Sequence, residues 1–129
     1  MDGNKRWAEN KNLPIKDAYS AGIDNILKIT EKLIEKEIKY LSVYALSTEN
    51  LKRKSVNLIF KSIFEKFSLF LHKLSNEKLI KIKVIGERNN LPIKLKELID
   101  EAELKTMNNK KLTLIIAFNY GFKSELLSV

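Results

Sequence analysis

The chain has 129 residues, of which 44% are hydrophobic and 31% charged, the composition of a globular domain with its own core. It has no cysteine and one histidine, His72, which excludes disulfides, thiolate metal sites, cysteine nucleophiles and sites that need two imidazoles. No apolar run approaches the roughly 20 residues of a membrane span, and the polar residues after Met1 predict no signal peptide.

The formal net charge of +8 favours anionic partners, such as nucleic acid, acidic lipid headgroups or pyrophosphate. The lysines are spread along the chain, and no basic run with interleaved aromatic residues is present. A lysine-rich solvated surface is therefore the simpler interpretation. A basic nucleic-acid-binding protein is an alternative that rests on charge alone, and we expect no nucleic-acid partner.

The first seven residues combine groups that suit a ligand site. Asp2 can hold a divalent metal through its oxygens, and Gly3 lets the backbone approach a ligand closely. Arg6 offers a planar fork to phosphate oxygens, and Trp7 can cover an apolar group beside them. The alternative is a frayed polar terminus, and these residues alone do not decide between the two.

The rest of the chain predicts helices and strands in alternation. The expected elements are a loop with room for a short helical turn at 8–17, a helix at 18–37, a strand at 38–46, a helix at 55–75, a strand at 79–85, a helix at 91–107, a strand at 112–118 and a helical start at 123–129. The runs at 38–46 and 112–118 are nearly continuously apolar, as in strands buried on both faces, whereas 79–85 alternates. This order predicts an α/β fold, a parallel sheet flanked by helices, in a single domain.

The predicted helix at 55–75 carries four phenylalanines and is the most apolar of the helices. Core packing is the simpler interpretation, and the wall of a long apolar pocket is the alternative.

Polar clusters follow the predicted strands at 47–50, 86–88 and 119–121. Because ligands of parallel sheets bind beyond the carboxyl ends of the strands, these clusters are candidate site residues.

Four motifs carry a family resemblance. They are Met-Asp-Gly-Asn-x-Arg-Trp-Ala at 1–8, Tyr-Ala-Leu-Ser-Thr-Glu-Asn-x-x-Arg at 44–53, Val-Ile-Gly-Glu-Arg-x-x-Leu-Pro at 84–92 and Leu-Thr-Leu-x-x-Ala-x-Asn-Tyr-Gly at 112–121. Their order and spacing closely resemble the cis-prenyltransferases, the family of undecaprenyl diphosphate synthase (isoprenyl transferase), from Met1 to about Glu125.

The resemblance implies an enzyme that condenses isopentenyl diphosphate onto an allylic diphosphate, commonly farnesyl diphosphate, with cis geometry. Magnesium would assist, and the product would be a polyprenyl diphosphate, a lipid carrier for cell-wall sugars. The resemblance further implies a homodimer in the cytoplasm that contacts the membrane peripherally through its product.

The resemblance also assigns roles to individual residues. Asp2 and Asn50 would be catalytic, Asp2 as the magnesium ligand and Asn50 in proton removal or in positioning. The substrate-binding residues it implies are Gly3, Asn4, Lys5, Arg6, Trp7, Ser47, Thr48, Glu49 and Arg53. Gly3 to Arg6 would form a loop around the allylic diphosphate, and the helix at 55–75 would line the product tunnel.

Several positions depart from the family pattern. Ile15 stands where the family usually has an arginine, which leaves the neighbouring Lys16 as the cation within reach. Tyr19 replaces a histidine and Leu51 a tryptophan. We also expect a partial domain, because most of the family's first core strand and its Arg- and Ser-containing motif for isopentenyl diphosphate fall outside the 129 residues.

Two interpretations of this partial domain follow. In the first, the chain is a truncated or split cis-prenyltransferase. In the second, it is an inactive remnant or a non-catalytic homologue that binds a prenyl diphosphate or a partner.

Overall fold

The computed structural model of the chain describes residues 3–47, 68, 78–89, 91, 93–121 and 126–127. The elements of this part are helices α1 (Asn4–Asn10), α2 (Ile15–Glu35) and α3 (Ile93–Thr106), and strands β1 (Tyr40–Ser47), β2 (Ile80–Ile85) and β3 (Leu112–Tyr120). The predicted helix at 55–75 lies outside the described residues except for Ser68. The predicted helical start at 123–129 lies outside them except for Leu126 and Leu127, which are helical.

The loop predicted at 8–17 is wrong at both of its ends. Helix α1 extends to Asn10, and α2 already begins at Ile15. A seven-residue helix is marginal by itself, but α1 packs against α2 and buries Ala8. The chain then turns sharply through Asn12, whose φ is 53°, and the Leu13 N–H donates to the Ala8 carbonyl at 2.9 Å.

Helix α2 is the long amphipathic helix that the sequence predicts, displaced by two or three residues. Its apolar stripe packs on the core through Ile23, Ile26, Leu27, Leu33 and Ile34. The helix ends in a Schellman motif: the N–H groups of Glu37 and Ile38 donate to the carbonyls of Ile34 and Leu33 at 3.0 and 2.9 Å. The left-handed backbone of Glu37, φ 58°, ends the helix before the predicted boundary.

The described strands form one parallel sheet in the order β1-β3-β2, which confirms the predicted fold class. The register pairs Tyr40 of β1 with Thr113 of β3, and Ile80 of β2 with Leu112. Strand β3 lies in the centre, so its buried side chains meet the core from the middle of the sheet. Helix α3 covers β2.

The core lies mainly between β2, β3 and α3. Its most buried members are Ile80, Ile82, Val84, Leu91, Leu95, Ile99, Ala102, Leu112, Leu114, Ile116 and Phe118. The alternating burial of β2 confirms the predicted one-sided strand. The prediction that β1 is buried on both faces is wrong. Leu41 and Val43 pack against the core, but Tyr40 and Tyr44, on the opposite face, are 68% and 45% exposed.

The edge of β2 that faces away from β3 is closed by side chains. Three polar backbone groups of this edge have side-chain partners: the Ile80 carbonyl accepts from Asn109 Nδ2 at 2.8 Å, the Ile82 N–H donates to Thr106 Oγ1 at 2.9 Å, and the Val84 carbonyl accepts from Arg88 Nη2 at 2.9 Å. Because these groups are occupied, this edge offers a poor template for another strand.

Candidate functional site

The N-terminal motif forms a tight turn followed by a helix. Gly3 has φ 87° and ψ 4°, a left-handed conformation that glycine adopts without strain, and the Trp7 N–H donates to its carbonyl at 2.9 Å. A Cβ atom on Gly3 would lie 3.8 Å from Arg6 Nη2. The Arg6 guanidinium is therefore folded back over the turn, so the structure brings Gly3 and Arg6 together.

The loop that the resemblance implied for Gly3 to Arg6 is thus a left-handed residue and the first turn of α1. The correction has a physical reason: the Gly3 carbonyl accepts from the Trp7 N–H, so the residues after Gly3 continue as a helix instead of a loop. The first-turn N–H groups of any α-helix have no acceptor within the helix. Lys5 and Arg6 are exposed beside them, and the first turn has no acidic residue.

Trp7 presents an apolar surface next to these cations. Its side chain is 40% exposed, and Lys11 Nζ lies 5.6 Å from the ring centroid, one helical turn further on. Buried Ala8 holds this part of α1 against α2. A cationic turn beside an exposed indole suits a ligand with an anionic head and an apolar chain.

The carboxyl ends of β1 and β3 meet at Ser47 and Tyr120, which are register partners. The register shifts just before this point. Leu46 pairs with Phe118, which leaves Ala45 as an extra residue in β1, and the next pair restores the alignment by passing over Asn119 of β3. Such irregularities redirect side chains and are common beside active sites. Ser47 is a predicted site residue, and the opposing Tyr120 belongs to the polar cluster at 119–121 that the sequence predicts as a further candidate.

The end of β2 has a structural role. Arg88 follows β2, and its Nη1 donates to Asp100 at 3.0 Å while its Nη2 contacts Glu103. Both carboxylates belong to α3, so the guanidinium fastens the end of β2 to that helix. Strand β2 also stops at Ile85, opposite Ala117, three residues before the end of β3.

Several predicted site residues cannot be placed. Asp2, Thr48, Glu49, Asn50, Leu51 and Arg53 lie outside the described residues. Ile15, Lys16 and Tyr19 lie in the first two turns of α2, where the backbone alone is described. The residues that the structure does place are the N-terminal turn and the end of β1.

The described residues contain no group of three or more histidine, aspartate or glutamate side chains that could hold a metal ion. Asp2, the predicted magnesium ligand, lies outside these described residues. In the same part of the chain, no helix is long and apolar enough to cross a membrane.

The parallel sheet and the cationic turn at its carboxyl edge indicate the class of protein. It is an α/β protein with a turn suited to a phosphorylated ligand. The family model described as "Putative undecaprenyl diphosphate synthase" matches residues 1–129, and the chain belongs to this family.

Individual relatives agree with this assignment. The chain is 39% identical over 132 residues to an isoprenyl transferase of Fusobacterium nucleatum, covering 98% of this chain and 55% of that protein. It is 39% identical over 130 residues to the ditrans,polycis-undecaprenyl-diphosphate synthase ((2E,6E)-farnesyl-diphosphate specific) of Micrococcus luteus, covering 99% and 52%. The chain spans about half the length of these relatives.

A solved structure shares the fold. Lavandulyl diphosphate synthase from Lavandula x intermedia, in complex with dimethylallyl diphosphate, superposes with a TM-score of 0.87 at 25% identity. The match covers 98% of this chain and 55% of that one.

Proposed function

We propose that the chain acts as a cis-prenyltransferase that condenses isopentenyl diphosphate onto an allylic diphosphate such as farnesyl diphosphate, and so makes a polyprenyl diphosphate. The observation that carries the proposal is the turn at Gly3 with Arg6 folded over it, within the family's N-terminal motif. The neighbouring structure's ligand, dimethylallyl diphosphate, is of the same chemical class. The proposal includes a homodimer, and a product that contacts the membrane and carries cell-wall sugars.

In this proposal the N-terminal turn binds the diphosphate of the allylic substrate. Ionisation of that substrate places negative charge on the leaving diphosphate, and preorganised donors aimed at this charge lower the barrier. Arg6 supplies a charge-assisted fork and Lys5 a second exposed cation. Gly3 carries no side chain, so the diphosphate can approach its backbone.

The remaining groups orient the substrate and exclude water. The exposed indole of Trp7 borders the first units of the prenyl chain, because that chain must leave the turn along an apolar surface. Asp2 would hold magnesium, which supplies further neutralisation of the diphosphate charge when it is bound. Asn50 would hold isopentenyl diphosphate in position for loss of its proton, since an amide alone is a poor base.

A non-catalytic prenyl-diphosphate-binding homologue is a second candidate, and Ile15 favours it. At this position the chain has an apolar side chain in place of the cation that the resemblance implies. An apolar residue cannot bind phosphate, so turnover would depend on the remaining cations.

Incorporation of radiolabelled isopentenyl diphosphate onto farnesyl diphosphate, with magnesium, tests the proposal. We expect butanol-extractable polyprenyl product from the 129-residue chain and a loss of product in Arg6→Ala. Lys28→Ala removes an equally exposed cation from the middle of α2 and is the matched control. Folding of each variant is checked by circular dichroism.

The outcomes separate the two candidates. Folded chain that yields no product contradicts turnover by this chain. If it still binds farnesyl diphosphate, with a roughly tenfold to hundredfold weaker affinity in Arg6→Ala, the non-catalytic candidate is supported. If neither product nor binding is found, both candidates are wrong.

A further inference from the structure

The opposite end of the sheet carries a cavity that the proposed reaction does not use. It has a volume of about 870 Å³ and is lined by Ile34, Glu35, Glu37, Lys39, Lys78, Asn108, Lys110 and Lys111. These residues come from the end of α2 and from the connections that precede β1, β2 and β3, at the amino ends of the strands. Because the strands are parallel, this cavity and the carboxyl edge lie at opposite ends of the sheet.

Backbone bonds hold three of these lysines next to one another. The Thr113 N–H donates to the Lys39 carbonyl at 2.7 Å, which ties the start of β1 to β3. The Leu112 N–H donates to the carbonyl of Leu79, the residue after Lys78, at 3.2 Å. Neighbouring strands lie about 4.8 Å apart, so Lys39 and Lys78 enter the cavity on either side of Lys111.

The charges at this end are unbalanced. Four exposed lysines line the cavity, and none of the four has an ion pair within the described part of the chain. Of the two carboxylates, Glu35 is already paired with Lys32 at 3.2 Å, which leaves Glu37. Lysines that share one cavity repel one another, and a bound anion would relieve that repulsion.

The backbone at the cavity is also unusual. Glu37 and Lys78 both have a left-handed conformation without being glycine, at φ 58° and 53°. Glu37 takes this conformation as the residue that ends α2 in the Schellman motif, and Lys78 takes it two residues before β2. Both residues direct connections to the cavity.

We propose that this cavity, which we call the amino-end cavity, binds a small, multiply charged phosphate anion from solution. Lysine is a compact point charge that binds phosphate without demanding a planar geometry, so several lysines can surround one polyphosphate group. The concave shape and the volume fit a small ligand better than an extended polymer. The site is independent of the proposed prenyl transfer, because it shares no residue with the N-terminal turn.

Inorganic tripolyphosphate is the probe, titrated into the 129-residue chain and followed by amide chemical shifts in NMR. We expect saturable shifts at Lys39, Lys78, Lys110 and Lys111. The triple variant Lys39→Gln/Lys78→Gln/Lys111→Gln weakens binding about tenfold or more. The matched control is Lys28→Gln/Lys83→Gln/Lys94→Gln, which removes the same charge from exposed positions elsewhere and changes binding less than threefold.

A variant of opposite sign sharpens the test. Glu37→Gln removes the unpaired carboxylate of the cavity, so tripolyphosphate binds more tightly. Equal weakening in both triple variants, or shifts distributed over all exposed lysines, means general attraction to a basic surface and overturns the proposal. The proposal is also overturned if phosphatidylglycerol vesicles cause saturable shifts of the cavity amides and tripolyphosphate does not, because the site would then bind a lipid headgroup.

Discussion

Thr106 is expected to stabilise the edge of the sheet, and replacing it with valine measures how much. The residue is fully buried near the end of α3. Its hydroxyl donates to the Ala102 carbonyl at 2.7 Å and accepts from the Ile82 N–H at 2.9 Å. Valine preserves the shape of the side chain but not the acceptor, so the Ile82 N–H is left buried without a partner. An unsatisfied buried donor costs about 1–3 kcal/mol.

Thr30 provides a matched control for this substitution. It is also fully buried in a helix, and its hydroxyl donates to the Ile26 carbonyl at 2.7 Å. That carbonyl retains its ordinary helical partner when the hydroxyl is removed, so Thr30→Val leaves no donor unsatisfied. We expect Thr30→Val to change the free energy of unfolding by less than about 1 kcal/mol.

Urea unfolding of the two variants gives the comparison, and amide hydrogen exchange locates it. Thr106→Val should lose at least about 1 kcal/mol more than Thr30→Val, with faster exchange at the Ile82 amide. Equal losses, with Ile82 as protected as in the parent chain, would refute the argument that this hydroxyl satisfies the strand edge.

Variants at three further positions test other parts of the structure. Arg88→Lys keeps the charge but loses the fork that contacts Asp100 and Glu103, so it costs about 1 kcal/mol in urea unfolding, less in 1 M salt; an unchanged midpoint would contradict this role. Glu37→Gly relieves the left-handed residue of the Schellman motif and stabilises the chain by about 0.5–1 kcal/mol, whereas Glu37→Gln keeps the strain and gives no gain. Gly3→Val weakens farnesyl diphosphate binding by roughly tenfold, because valine is strained at a φ of 87°. Gly3→Asn tolerates this backbone and retains more affinity, and equal affinities of the two variants would show that the turn is not required.

Much of the described fold follows from hydrophobic periodicity. The continuous apolar run at 112–118 and the alternating run at 79–85 predict β3 and β2 within two residues, and strands separated by helices predict a parallel sheet. Helix α1 could not be predicted in this way, because Asn4–Asn10 has no apolar stripe and depends on the packing of Ala8 against α2. Propensity and pattern do not report such tertiary contacts.

The site was predictable in its residue types but not in its arrangement. The motif points to Gly3 and Arg6, and the structure adds that the guanidinium folds over a left-handed turn. The register shift that places Ser47 opposite Tyr120 depends on strand pairing, which one sequence does not contain. The sequence contains a weak signal for the structural role of Arg88. The acidic residues 100 and 103 are three apart, so they lie on one face of the helix, where one cation can contact both.

The amino-end cavity illustrates what topology adds. Lys39 lies 39 residues before Lys78 and 72 residues before Lys111 in the sequence. Only the parallel pairing of the three strands brings their starting points together.

An amide chemical-shift map of the 129-residue chain titrated with farnesyl diphosphate tests the central claim most directly. The claim is that the carboxyl edge of the sheet, with the N-terminal turn, binds the allylic diphosphate. We predict saturable shifts at Gly3, Arg6 and Trp7 and at the end of β1, and the same shifts in the Lys39→Gln/Lys78→Gln/Lys111→Gln variant of the amino-end cavity. Shifts confined to the amino-end cavity, or none at Gly3 and Arg6 in the folded chain, would contradict it.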